Sequence, residues 1–296
     1  MNLNPEQCDR FYRLWFLLLQ HVNEREQLVP SLPENLQRGG VDPEHARILR
    51  DALWASDDYL DSFLAARQGQ LPETDLALVA GWRDRISGKF YIMRHLKKQS
   101  IFLNQGAPSY AYGVLGIVSP ISEVINRPLP VLVEATLIPF DDKIIYDSLL
   151  LPYPISFGSG IRKSLDIAYR NAQERSGIIT SLGGLNAHEQ IDATVIAVGN
   201  RKIINAFRKD LAAARLSSKM IIQHSNTLEA FADYLEKGLR PRSLLDINNN
   251  DIEMYWAIPS AQANAVSFKR FITFMLNTDR MDWDTAENIK GFLKQQ

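Results

Sequence analysis

Gly158-Ser159-Gly160-Ile161-Arg162-Lys163-Ser164 places glycines, hydroxyls and a lysine where an extended pattern gives way to a helical one. Free backbone amides and the positive end of a helix dipole can hold a phosphate at such a place. A phosphate loop needs a glycine directly before its lysine, and Arg162 stands there instead. No aspartate at the end of an apolar strand offers the magnesium partner. Gly158, Ser159, Gly160, Arg162, Lys163 and Ser164 are therefore a candidate for anion contact more than for nucleotide hydrolysis. Their simplest reading is a glycine-rich entry to a helix whose basic residues face water.

A second set of residues is cationic. Arg94-His95-Leu96-Lys97-Lys98 follows Lys89, Phe90 and Tyr91, and Arg94, Lys97 and Lys98 can contact a phosphate backbone. The helical period predicts this cluster near a helix C-terminus, where the dipole favours each cation by roughly 0.3–1 kcal/mol with no ligand.

Other chemistries have weaker claims. His21, His45, His95, His188 and His224 make neither the i, i+4 pair nor the His-x-x-Glu spacing of a helical metal site. The single cysteine, Cys8, has no evident base beside it, and one cysteine excludes both an internal disulfide and a cysteine-rich zinc site. Asp141, Asp142 and Asp147 can approach Glu134 across a hairpin, but turn chemistry already accounts for the first two. No catalytic residue, metal or cofactor is assigned.

The elements that must position these residues follow from patterning. At 296 residues, with 46% hydrophobic and 23% charged side chains, the chain predicts two packed units. Asn4-Pro5 opens a helix to about Arg25, with Phe11, Leu14, Trp15, Leu18 and Val22 on one face. Pro30, Pro33 and Gly39-Gly40 form a loop, and Asp42-Pro43 opens a helix through Leu64. A third helix begins near Glu73, its period continuing through Trp82, Ile86, Phe90 and Met93 to Leu96. Between Ile101 and Phe157 the texture changes to strand and turn. Two β-branched runs, Pro130 to Phe140 and Lys143 to Leu151, flank Asp141-Asp142 as a hairpin, and Tyr110 to Val118 supplies another strand. Frequent prolines predict short, edge-rich strands. A helix then runs from Gly160 to Ser176, and helices recur over 203–216, 219–235, 252–258, 267–276 and 285–293. The expected fold is α+β: N-terminal helices packed on a small antiparallel sheet, followed by a C-terminal all-α bundle. The expected division is 1–182, a linker at 183–200, and 201–296.

Charge is uneven along the chain although the net charge is -1. Residues 1–80 hold thirteen acids against seven arginines, whereas 81–110 hold six cations against Asp84 alone. This predicts either an acidic and a basic face or a balance reached by pairing in three dimensions. The apolar run Phe11–Leu19 is broken by Arg13 and is too short for a membrane helix, and no signal-peptide pattern surrounds it. A cytoplasmic protein is expected.

Thr227-Leu228-Glu229-Ala230-Phe231-Ala232-Asp233-Tyr234-Leu235, Ser243-Leu244-Leu245-Asp246-Ile247, Asp251-Ile252-Glu253-Met254-Tyr255 and Ser267-Phe268-Lys269-Arg270-Phe271-Ile272-Thr273-Phe274-Met275 form an ordered series. The series, within about 217–293, resembles the SAM-like helical core-binding domain of phage integrases and other tyrosine recombinases. The remainder resembles bacterial proteins of unassigned function. The integrase resemblance implies duplex DNA clamped by helix ends and basic side chains, with Lys219, Arg240, Arg242, Lys269 and Arg270 as phosphate contacts. The Arg, His and Tyr set of the recombinase catalytic domain has no counterpart in these residues, so strand transfer is not implied. The aromatic residues of the series read as core.

These observations favour a non-enzymatic protein that binds DNA, RNA or a protein partner, with no membrane span. One alternative is an enzyme acting on a phosphorylated substrate at the Gly158–Ser164 turn. Another is a structural subunit whose apolar N-terminal helix docks a partner.

Overall fold

A computed structural model of the chain describes residues 1–30, 42–106, 108–183, 193–238, 241–261 and 263–296. The expected loop at Pro33 and Gly39-Gly40, the segment around His188-Glu189, and Arg240 lie outside them. The fold is α+β, with helices before and after a central mixed sheet. The chain divides into two compact units: Met1–Phe102 with Tyr112–Ile155 and Thr180–Leu185, and Leu103–Ala111 with Ser156–Ile179 and Asn186–Gln296.

In the first unit, α1 (Pro5–Glu26) starts where the side chain of Asn4 accepts from the Gln7 amide at 2.8 Å. This satisfies one of the amides that a helix start leaves open. Its apolar face packs into an aromatic core in which Phe11 lies 6.1 Å from Trp82 and 6.3 Å from Phe140, ring centre to ring centre. Trp15 and Phe16 are buried in this unit, so α1 offers no free apolar face for a docking role. The single helix expected after Asp42 is two, α2 (Pro43–Ala55) and α3 (Asp58–Arg67), because Ser56 is extended at φ -150°. The helix α4 (Glu73–Gly81) ends in a single 3-10 turn over Trp82–Asp84.

The largest departure from expectation follows. Ile86–His95 is a strand, β1, and does not continue a helix. Its β-branched and aromatic residues fit both periods over so short a span, and pairing decided between them: β1 runs antiparallel to β4 (Val131–Phe140), with Phe90 opposite Val133. The expected hairpin is present, with β4 joined to β5 (Lys143–Pro152) across Asp141-Asp142 and Asp141 at φ 52°. With β2 (Ser100–Asn104) and β3 (Ala111–Val114), the order is β2-β1-β4-β5-β3. The sheet is antiparallel in its body and mixed as a whole, because β3 joins β5 in parallel. A parallel neighbour requires a crossover, which the chain makes through α5 (Ile121–Val124) and β4.

The second unit holds α6 (Ser159–Ser176), the two-residue strand β6 (Ile178–Ile179), α7 (Ala193–Ala213), α8 (Ser218–Glu236), α9 (Asn249–Trp256), α10 (Ala265–Asn277) and α11 (Trp283–Leu293). Phe207, Phe231, Phe268 and Phe271 form the centre of its core. The boundary differs from the expected 182/183. The helix α6 belongs here because Asn171 donates to the Arg280 carbonyl at 2.9 Å and Arg175 pairs with Asp246. The expected linker 183–200 is helical from Ala193 onward.

Candidate functional site

The Gly158–Ser164 turn lies at the start of α6 and is exposed throughout. Gly158 occupies the cap position with no side-chain cap. The two cations are partly committed: Arg162 donates to the Phe157 carbonyl at 2.9 Å, and Lys163 lies 3.5 Å from Asp279. No side chain of the turn is sunk into the protein to shape a phosphate cradle.

Arg94, Lys97 and Lys98 sit at the end of β1 and in the tight turn to β2, not at a helix end. Leu96 donates to the Gln99 carbonyl at 2.8 Å and closes that turn. All three cations are exposed. The charge asymmetry is settled locally only in part: Arg85 pairs with Asp57 at 2.6 Å and Arg83 with Asp61. Acids of the first eighty residues thus neutralise two of the six cations that follow them.

The carboxylates do not form an acid/base pair. Asp141 receives Arg10 at 3.2 Å, Asp142 receives Lys143 at 2.8 Å, and Glu134 accepts the Tyr153 hydroxyl at 3.0 Å. Asp147 is sealed from water and held by Arg50 at 2.6 Å and by the Trp54 indole at 2.7 Å. The same Arg50 donates to Thr136, which meets Ser87. A register shift between Ala135 and Leu137 and a positive φ of 74° at Ser148 re-aim the strands around this network. Burial pushes the Asp147 carboxyl up, against the opposing pull of Arg50. Arg50 and Asp147 are 97 residues apart, so no local pattern links them.

In the second unit the cations proposed for phosphate contact separate into two kinds. Arg242 is structural: it pairs with the buried Asp251 and donates to the Asp246 carbonyl at 2.7 Å. Lys219 and Arg270 are exposed and Lys269 is half-buried. Asp246 itself is gripped by the buried Arg175, which also lies over the Tyr110 ring. Burial raises the carboxyl of Asp246 while Arg175 opposes the rise.

His224 and Ser267 join α8 to α10 at 2.8 Å. The pair has the atoms of a base and a nucleophile but lies in the core. Asn264 Oδ1 accepts from the Ser267 amide at 2.9 Å and, as an oxygen, can only accept from the Ser267 hydroxyl 3.2 Å away. The Ser267 hydroxyl thus sits between Asn264 Oδ1 and His224 Nδ1, and the histidine tautomer sets which of them takes its proton. Ser267 is also fully buried, so it meets no substrate. Burial, aided by the charge of Arg270, holds His224 below the usual histidine range.

Among the described residues, no group of three or more His, Cys, Asp or Glu is placed to hold a metal, and no helix is long and apolar enough to cross a membrane. In comparisons with known proteins, no family model, no curated protein and no solved structure matched the chain.

Proposed function

We propose that the protein is a non-enzymatic, cytoplasmic binding protein whose second unit engages the phosphate backbone of nucleic acid through α8 and α10. The observation that carries this reading is that, among the described residues, Lys219, Lys269 and Arg270 make no ion pair and share their helix stretches with no acid. The helix α10 contains Lys269 and Arg270 and no acid, and α8 contains Lys219 and no acid before Glu229. The His224–Ser267 contact brings these stretches together, with Arg270 one turn beyond Ser267. The integrase-like series and the single buried cysteine, Cys8, which is in no disulfide and suits a reducing compartment, add support.

The test is fluorescence anisotropy with short duplex and single-stranded DNA and RNA at low and physiological salt. Three duplex phosphate contacts give a slope of about -2.7 in log K against log salt, and each Lys219→Glu, Lys269→Glu or Arg270→Glu change lowers its magnitude by about 0.9. Absence of binding at low salt overturns the reading.

A second reading, an acidic protein segment on the same face, is favoured by exposed Met220, Ile222 and Val266 beside the cations. Apolar contact makes such binding less salt-dependent than a phosphate clamp. Retained binding of an acidic amphipathic peptide, with none to nucleic acid, would select it.

A further inference from the structure

We infer that the groove between α7 and α8 is a binding site for a small zwitterion of the free α-amino acid class, distinct from the α8–α10 face. The groove is a half-open hollow of about 370 Å³, within the range of small-molecule sites. Its ends are closed by two polar rungs between antiparallel helices. At one end Asn200 donates to Glu236 at 2.9 Å, and at the other Arg208 donates to Glu229 at 2.6 Å. The rungs are eight residues apart on α7, about 12 Å at the helical rise.

The floor is built and rigid. Asn200 is fully buried, and its Oδ1 accepts from the Leu244 amide at 2.8 Å and the Ser243 hydroxyl at 3.3 Å. With both ends of its amide committed, the residue cannot flip or swing into the cavity.

The stretch between the rungs is left open. Among the described residues, Arg201 lines the α7 wall with no ion pair, and Asp233 lines the α8 wall with Lys237 as its one ion-pair partner, at 3.6 Å with both side chains exposed. A simple anion entering the groove would meet Asp233 and Glu236, and a simple cation would meet Arg201 and Arg208. A ligand bearing both charges satisfies both walls: its carboxylate takes the Arg201 guanidinium, which suits that planar group, and its ammonium takes Asp233. The remaining volume, lined by Ile204 and Ala232, accommodates a side chain.

Isothermal titration calorimetry of the full chain with glycine and then each standard amino acid tests the inference. At least one is expected to bind in the millimolar range or tighter. Its N-acetyl and α-amide derivatives, each lacking one charge, should bind at least about tenfold more weakly. Arg201→Gln and Asp233→Asn should each produce the same loss while leaving the circular dichroism spectrum and melting midpoint unchanged, because both positions are exposed. No heat with any amino acid, or equal binding by both variants, overturns it. Nucleic-acid binding is read separately with Lys219→Glu and Arg270→Glu, neither of which lines the groove.

Discussion

The two units spend their charges differently. In the first, Arg10 and Arg13 share the buried Asp75, Arg50 holds Asp147, and Arg83 and Arg85 meet Asp61 and Asp57, while Arg94, Lys97 and Lys98 are exposed at a strand turn. In the second, Arg175 and Arg242 are spent in the same way on Asp246 and Asp251, yet Lys219 and Arg270 stand in water beside helix stretches without acid. Residue type therefore does not separate paired cations from those left in water. What separates them is a carboxylate within reach, because desolvating a charge is tolerable only when it is paired.

The contrast can be tested most severely at Asp147. Asp147→Ala leaves the Arg50 guanidinium buried without its partner and should cost about 3–5 kcal/mol by urea denaturation. A loss within 1 kcal/mol would mean that water reaches Arg50 after all. In the second unit Arg242→Ala should cost about 2–4 kcal/mol, since the buried Asp251 loses its counter-charge. A drop in nucleic-acid affinity with unchanged stability would return Arg242 to the binding face.

Both units lose stability in acid, through different groups. His21, His95 and His224 are each held below the usual histidine range, first by burial. The unfolded chain binds their protons more readily, so stability is complete above about pH 6.5 and declines as pH falls through the histidine range. His224→Gln should flatten that decline in the second unit, measured as melting midpoint between pH 8 and pH 5. Asp75 acts at lower pH. Burial raises its carboxyl, but the bonds from Arg13 and Arg10 outweigh that and leave it lowered. Its stabilisation is present above the unfolded carboxylate value of about 4 and is lost as pH falls through the lower folded value. Asp75→Asn should remove the corresponding acid-dependent loss. The smallest stability effect is expected at the free cations. Lys219→Glu and Arg270→Glu should shift stability by no more than about 0.5 kcal/mol, with binding alone affected.

Much of the frame was legible in the sequence. Asn4-Pro5 marked the start of α1, Asp141-Asp142 marked the hairpin, and five C-terminal helical segments carried clear apolar spacing. Such signals are local: a cap, a turn residue or a repeat of one face is complete within a few residues. Ile86–His95 failed that test because its apolar positions suit a helix and a strand alike, and only Val131–Leu137 on the other side of the pair resolved it. Among the candidate site residues, Lys219 and Arg270 are exposed. Nothing in the spacing warned that Arg242 would be consumed by Asp251, or that Arg162 would turn back on the Phe157 carbonyl.

By itself the sequence determined the order of helical and extended segments, the hairpin turn and the aromatic composition of the C-terminal core, since each depends on neighbours close along the chain. The tertiary structure alone decided which charges are free. It brought Arg50 to Asp147, Arg175 to Asp246 and Asn200 to Glu236 and Leu244 from residues distant in sequence. Whether a cation is a strut or a ligand contact depends on the solvent and the opposite charge around its tip, and both are set by packing.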